Sequence, residues 1–223
     1  EHLRIQRWLV VGGSWGAALA LAHAAEQPQA VAALLLRGSF LARDEDVQWF
    51  FQGAAIEQPE AWSRFATIAP AAKRSTMLAF LSQGLIDGDP PLRGRLAKAW
   101  WQWEQALTTT STPQQPDADA LAKLVDRYRV QAHYLLHRCW LDQPPLLQRC
   151  AQVPAVPTLL LHGREDRICR PDAAELLHRH LPHSRLQWVA GAGHDPAHPA
   201  MVAAMVTALD DYAAHRRFGP GAA

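Results

Sequence analysis

The stretch that most constrains this chain lies near its start. Residues 8–11, Trp-Leu-Val-Val, form a short apolar run, followed by Gly12-Gly13-Ser14-Trp15-Gly16 and then by Ala17 to His23, which read as a helix. Strand, sharp turn, helix is the context in which G-x-S-x-G lifts a serine hydroxyl out at the end of a strand. Small residues around Ser14 let the backbone turn tightly, because glycine accepts dihedrals and close approaches that a Cβ forbids. A helix that starts at the serine points its positive end at any anion forming beside Ser14. The same letters also occur in tight turns with an incidental serine. The rest of the chain decides between the two.

Pro28 marks the end of that helix, and Val31 to Leu36 form an almost wholly apolar run, the pattern of a strand buried on both faces in a parallel sheet. The composition then changes. From residue 42 to 152 no convincing strand occurs, and helical segments are punctuated by Pro59, Pro70, Pro90-Pro91, Pro113 and Pro144-Pro145. Leu107 to Pro116, rich in Thr, Pro and Gln, reads as a loop. Strand patterning resumes at Thr158 to His162, with a loop at Gly163-Arg164-Glu165-Asp166. A helix over Pro171–His180, a strand over Arg185–Val189 and a Gly-rich loop, Gly191-Ala192-Gly193-His194, follow. The last helix is expected over Pro199–Arg216, its stripe of Met201, Val202, Met205, Val206 and Leu209 reading as core, and Phe218 to Ala223 as a frayed tail. The expected organisation is an α/β core from residues 1–41 and 153–223, interrupted by an inserted all-helical domain at 42–152.

Composition removes whole classes of function. Net charge is +1 over 223 residues, which gives no reason to invoke nucleic acid or an anionic membrane. No apolar run approaches the roughly 20 residues that span a bilayer, and no signal-peptide pattern opens the chain. Cys139, Cys150 and Cys169 are odd in number and lack metal-ligand spacing, so reduced thiols, a cytoplasmic location and no metal or other cofactor are expected.

Two further positions carry chemistry. Asp166 follows a strand ending in His-Gly, and His194 follows a later strand. The order Ser14, Asp166, His194, each just beyond the end of its own strand, is that of the α/β-hydrolases. A serine hydroxyl needs a base with a pKa near 7, which imidazole supplies. The imidazole in turn needs a carboxylate that orients it and stabilises its charged form. Asp in a loop also caps turns, loop histidines are often merely solvated, and Asp195 is a neighbouring acid aimed the wrong way. Order and placement together favour Ser14, His194 and Asp166 as a catalytic triad.

The chain resembles the proline iminopeptidases (prolyl aminopeptidases), serine peptidases of the α/β-hydrolase fold. The blocks that carry the resemblance are Gly12 to Gly16 with Leu19-Ala20-Leu21, Leu36-Arg37-Gly38-Ser39-Phe40, Trp49 to Ala54, Trp100-Trp101-Gln102-Trp103-Glu104, His162 to Asp166 with Cys169, and Gly191 to His194. The resemblance implies that the helical insertion is a cap over the active site that recognises the free imino group of an N-terminal proline. It implies that Glu104 anchors that amine, that Phe40 lines the proline pocket, and that Gly13 belongs with the substrate-contacting residues. Chemistry agrees, since a carboxylate among tryptophans is costly unless it meets a cation. A solvated helix face is the other reading of Glu104.

Two departures stand out. Where the family carries a second amine-binding glutamate ahead of a His-Tyr pair, this chain has Gln131, which accepts a hydrogen bond without charge attraction. Losing that attraction costs about tenfold or more in affinity. The chain also begins about one helix before the strand leading to Ser14. The family's earlier strands and its His-Gly-Gly-Pro-Gly loop have no counterpart here, which predicts an N-terminally truncated sheet. The N–H of Trp15 is then the obvious oxyanion donor, and losing one such donor costs about 10²–10³ in rate in other enzymes. The strand before Ser14 is expected to be an exposed edge through which copies can associate.

The leading expectation is a serine aminopeptidase acting on small peptides with a free N-terminal proline. The alternatives are an esterase or amidase of the same fold with an uncharged substrate, and a catalytically silent fragment. Cys169, three residues beyond Asp166, predicts sensitivity to bulky thiol reagents unless it is a buried structural thiol.

Overall fold

The computed structural model describes residues 4–108 and 114–219. The expected loop at 109–113 and tail at 220–223 lie outside the described residues. The chain separates into two compact units, one made of the residues up to Ala42 with those from Leu141 onward, the other of Arg43–Trp140.

The first unit is built on one parallel sheet of β1 (Trp8–Gly13), β2 (Val31–Arg37), β3 (Thr158–Gly163) and β4 (Ser184–Val189), in the order β1-β2-β3-β4. Leu34, Leu35 and Leu36 are fully buried, and so is all of β3 apart from traces. Such continuous apolar runs, with no polar alternation, are what a strand covered on both faces requires. The register places Gly13 beside Arg37, Arg37 beside Leu161, and Gly163 beside Val189. The C-terminal ends of all four strands are therefore level, and the loops that leave them gather at one end of the sheet.

Helix α1 (Trp15–Glu26) buries Ala17, Ala18, Ala20, Leu21 and Ala24 and packs on β1. Across the sheet, Leu35, Leu159, Leu161 and Val189 meet Met201 and Ala208 of the C-terminal helix over Pro199–His215. The apolar stripe expected to be core on that helix divides. Met201 is fully buried, whereas Val202, Val206 and Leu209 are 44%, 50% and 37% exposed. The helix lies on the sheet by a narrow face built from Met201, Ala204, Met205 and Ala208, and Val202, Val206 and Leu209, each one position on from a residue of that face, are rotated about 100° away. Among the described residues β1 is an edge strand, with Trp8 and Val11 about half exposed.

The second unit carries α2 (Asp44–Phe51), α3 (Pro59–Ala66), α4 (Met77–Asp87), α5 (Pro90–Thr108) and α6 (Ala118–Leu136). Its core is aromatic. Trp100 stacks on Tyr128 at 4.8 Å, Phe65 stacks on Trp103 at 5.8 Å, and Phe51 packs edge-on to Trp100 while Phe50 and Trp62 pack edge-on to Trp103. The Trp103 indole N–H donates to the carbonyl of Phe50 at 2.9 Å. Asp117 caps α6 by accepting from the N–H of Ala120. Beyond this unit come α7 (Leu146–Arg149), packed against α1, α8 (Pro171–His180) beside β3 and β4, and α9, the C-terminal helix already described. No helix among the described residues is long and apolar enough to cross a membrane.

Candidate active site

Ser14 sits between β1 and α1 with φ 56° and ψ −120°. A non-glycine residue held at positive φ is strained, and the surroundings over-determine it. Its N–H donates to the carbonyl of Arg37 at 2.8 Å. Gly12 makes the turn possible, because a Cβ there would run into the carbonyl of Gly16. The turn presents the Ser14 Oγ 2.9 Å from Nε2 of His194.

His194 arrives on the loop after β4, and its Nδ1 lies 2.7 Å from Oδ2 of Asp166. Asp166 is 3% exposed, and its Oδ1 accepts from the N–H groups of Ile168 at 2.9 Å and Cys169 at 2.8 Å. One carboxylate oxygen is thus committed to backbone and the other is aimed at the imidazole. Burial penalises the His194 imidazolium, but the Cys169 sulfur and the Asp166 carboxylate outweigh it and hold His194 above its ordinary value. This environment favours the protonated imidazole that forms when a serine proton is taken.

The loop after β3 is braced by a second, fully buried histidine. His162 Nδ1 accepts from the N–H of Ser39 at 3.1 Å, so its Nε2 carries the proton and donates to the carbonyl of Cys169 at 2.8 Å. Burial pushes the His162 pKa down, as suits a neutral strut. Gly38 has φ +56°, and a Cβ there would lie 3.4 Å from Cε1 of His194 and 3.5 Å from Oδ2 of Asp166. The Cys169 Sγ is buried 4.0 Å from the Ser14 Oγ. Cys139 and Cys150 are also buried and free, their thiols pushed by burial to about 12 and about 11.

The sequence-derived positions fall as follows. Ser14, Asp166 and His194 form one hydrogen-bonded chain. Trp15 opens the first turn of α1, and its ring lies 6.3 Å from that of Phe40, in the same unit as Gly13 and Ser14. Glu104 and Gln131 lie in the second unit, on α5 and α6. The Glu104 side chain is 16% exposed and engaged on both oxygens, by Arg127 Nη2 at 2.7 Å and by the Tyr128 hydroxyl at 2.7 Å. Burial and then Glu104 raise the Tyr128 pKa, so the phenol stays a donor. Sequence reasoning assigned nothing to Arg37, Gly38, His162, Arg127 or Tyr128. For Arg37 and His162 there was a signal: each is a polar residue closing an otherwise apolar strand. Among the described residues no group of three or more His, Cys, Asp or Glu is arranged to hold a metal.

A level parallel sheet, a strained serine at a strand–helix turn and a serine–imidazole–carboxylate chain in that order define an α/β-hydrolase. A profile of the alpha/beta hydrolase fold family matches residues 1–198. The chain is 34% identical over 225 residues to a probable proline iminopeptidase of Leptolyngbya boryana, covering 98% of this chain and 70% of the relative. It is 33% identical to the proline iminopeptidase of Xanthomonas citri, covering 95% and 69%. Among solved structures, an alpha/beta hydrolase enzyme from a Medee basin deep-sea metagenome library shares the fold with a TM-score of 0.53 at 17% identity, over 99% of this chain and 69% of that one. The chain belongs to the proline iminopeptidase family of α/β-hydrolases.

Proposed function

We propose that this protein is a serine aminopeptidase that releases proline from the N-terminus of small peptides, with Ser14 as nucleophile, His194 as general base and acid, and Asp166 as the group that orients and stabilises His194. The observation that carries this reading is the continuous chain Ser14 Oγ–His194 Nε2–Nδ1–Asp166 Oδ2, with links of 2.9 and 2.7 Å. His194 takes the hydroxyl proton as Oγ attacks the prolyl carbonyl, then returns it to the leaving peptide amine. A water activated by the same imidazole releases proline from the acyl-enzyme. The N–H of Trp15, at the positive end of α1, stabilises the oxyanion. Phe40 and Gly13 contact the prolyl ring, and Glu104 receives its imino cation. The names of the relatives support the prolyl group, and the free thiols support a cytoplasmic setting.

A second reading has its own observation. Glu104 is already met by Arg127 and Tyr128, and Gln131 is neutral, so local charge is balanced without a substrate cation. That favours an esterase or amidase with an uncharged acyl group.

The first test is incubation of the chain with a fluorophosphonate, read by intact mass, with Ser14→Ala as control. A single adduct absent from Ser14→Ala supports the assembled triad, and no adduct on folded protein overturns it. Turnover of a proline amide against a short acyl ester then separates the two substrate classes. Because His194 is held above its ordinary value, it becomes an unprotonated base only as pH rises through that raised value. The acid limb of kcat/KM is therefore expected above the ordinary imidazole value of about 6.5. A limb at or below that value overturns the expected raising of His194 by Asp166 and Cys169.

A further inference from the structure

We infer that Arg37 is a positioning residue for the reaction, a strut that ties the serine turn to the histidine loop and so keeps Oγ of Ser14 and Nε2 of His194 in register. The inference rests on the triad reading above.

Arg37 closes β2, between the strand that delivers Ser14 and the strand that delivers Asp166. It touches both reacting partners through different groups. Its own carbonyl accepts the N–H of Ser14 at 2.8 Å. Its guanidinium donates from Nη1 to the carbonyl of His194 at 2.7 Å. The Nε–Nη2 edge of the same guanidinium abuts Gly13, where a Cβ would come within 2.9 Å of both nitrogens. Arg37 is 9% exposed. Burial draws its pKa down, and the carboxylate of Asp166 leads the groups that push it back.

A buried cation is a poor way to gain stability, since its desolvation commonly exceeds what its contacts return and an apolar residue of similar size serves as well. Stability alone therefore does not account for it. What only a guanidinium supplies here is a rigid, directional donor fork that reaches the His194 backbone while lying against Gly13. The groups facing His194 are Ser14 from the β1–α1 turn, Asp166 and Cys169 from the loop after β3, and Arg37 from β2, with Asp195 next in sequence and His162 behind Asp166. Arg37 is the one among them that holds the loop of the base by its main chain.

The test measures kcat, KM and the acid limb of kcat/KM for Arg37→Met, Arg37→Lys and Gly13→Ala, each with a thermal melt. Misplacing the base by an ångström costs about 10²-fold in turnover. Arg37→Met is expected to lose about that much in kcat with KM nearly unchanged. Its acid limb is expected to move to lower pH, because an imidazole out of register loses part of the Asp166 contact that raises it. Arg37→Lys keeps the charge and one donor, and is expected to recover part of kcat and the original limb. Gly13→Ala displaces the guanidinium without altering it, and is expected to move kcat and the limb as Arg37→Met does. Folded Arg37→Met or Gly13→Ala with unchanged kcat and limb overturns the strut. Losses that follow the folded fraction with an unmoved limb also overturn it, leaving a purely structural arginine. A fluorophosphonate adduct persisting in Ser14→Ala instead sinks the triad reading, so the two failures are distinguishable.

Discussion

Two carboxylates, Asp166 buried and Glu104 half-buried, show how differently the two units hold a charged group. Asp166 is pinned by the backbone of its own loop, through the N–H groups of Ile168 and Cys169, and presents its remaining oxygen to one imidazole. Glu104 is pinned by side chains from another helix, Arg127 and Tyr128, which take both of its oxygens. The first arrangement is local, made of groups present in every sequence, and leaves the carboxylate with a single task. The second depends on which residues α6 happens to carry, and can be retuned by one substitution. On the proposed function, the groups that cleave the bond sit at strand ends, and the carboxylate assigned to the substrate amine rests on exchangeable side chains.

The comparison is broken most sharply at Asp166. Asp166→Asn keeps the shape but offers His194 the wrong partner, and a loss of about 10⁴-fold in kcat is expected. A loss below about tenfold, with the fold intact by near-UV circular dichroism, would remove Asp166 from the chain. Next in size is Cys169, whose sulfur lies 4.0 Å from the Ser14 oxygen. Complete modification by a bulky thiol reagent is expected to lower turnover by about 10²-fold through displacement of the Ser14 hydroxyl, and full activity of a protein shown by mass to be modified there overturns that expectation. On the other side of the comparison, Glu104→Gln is expected to raise KM for a prolyl substrate by about tenfold, while sparing an uncharged ester. Equal effects on both substrates would take Glu104 out of amine recognition. The smallest effect has the opposite sign. On the proposed role of Glu104, Arg127 competes with the substrate cation, so Arg127→Gln is expected to lower that KM by only about two- to fivefold, because Arg127 is half exposed and its ion pair is screened. A raised KM would mean that Arg127 orients Glu104 rather than opposing the substrate.

The same contrast explains what could be read from the chain before its fold. Ser14, Asp166 and His194 were legible because each follows its own apolar strand, and a parallel sheet with level ends must bring such positions together. The strands themselves were legible because burial on both faces leaves Val31–Leu36 and Thr158–Leu161 no polar alternation. Arg37 was not, since one charged letter at the end of an apolar run does not say where its guanidinium turns. Nor were Arg127 and Tyr128, adjacent letters on an ordinary helix that meet Glu104 only after two helices pack. The exposure of Val202, Val206 and Leu209 escaped as well. A helix-period pattern marks the side of α9 that is apolar, and packing decides how much of that side the sheet covers.

The span of the serine–histidine pair has a consequence for how the molecule is made. Ser14 and His194 are separated by 180 positions along the chain, with the whole of the second unit lying between them. Closing so long a loop is entropically unfavourable until the strands between have paired, so this contact belongs among the last to form during folding. Reactivity at Ser14 is then a clock for the completed sheet. In a refolding experiment it rises only after helical circular dichroism has recovered.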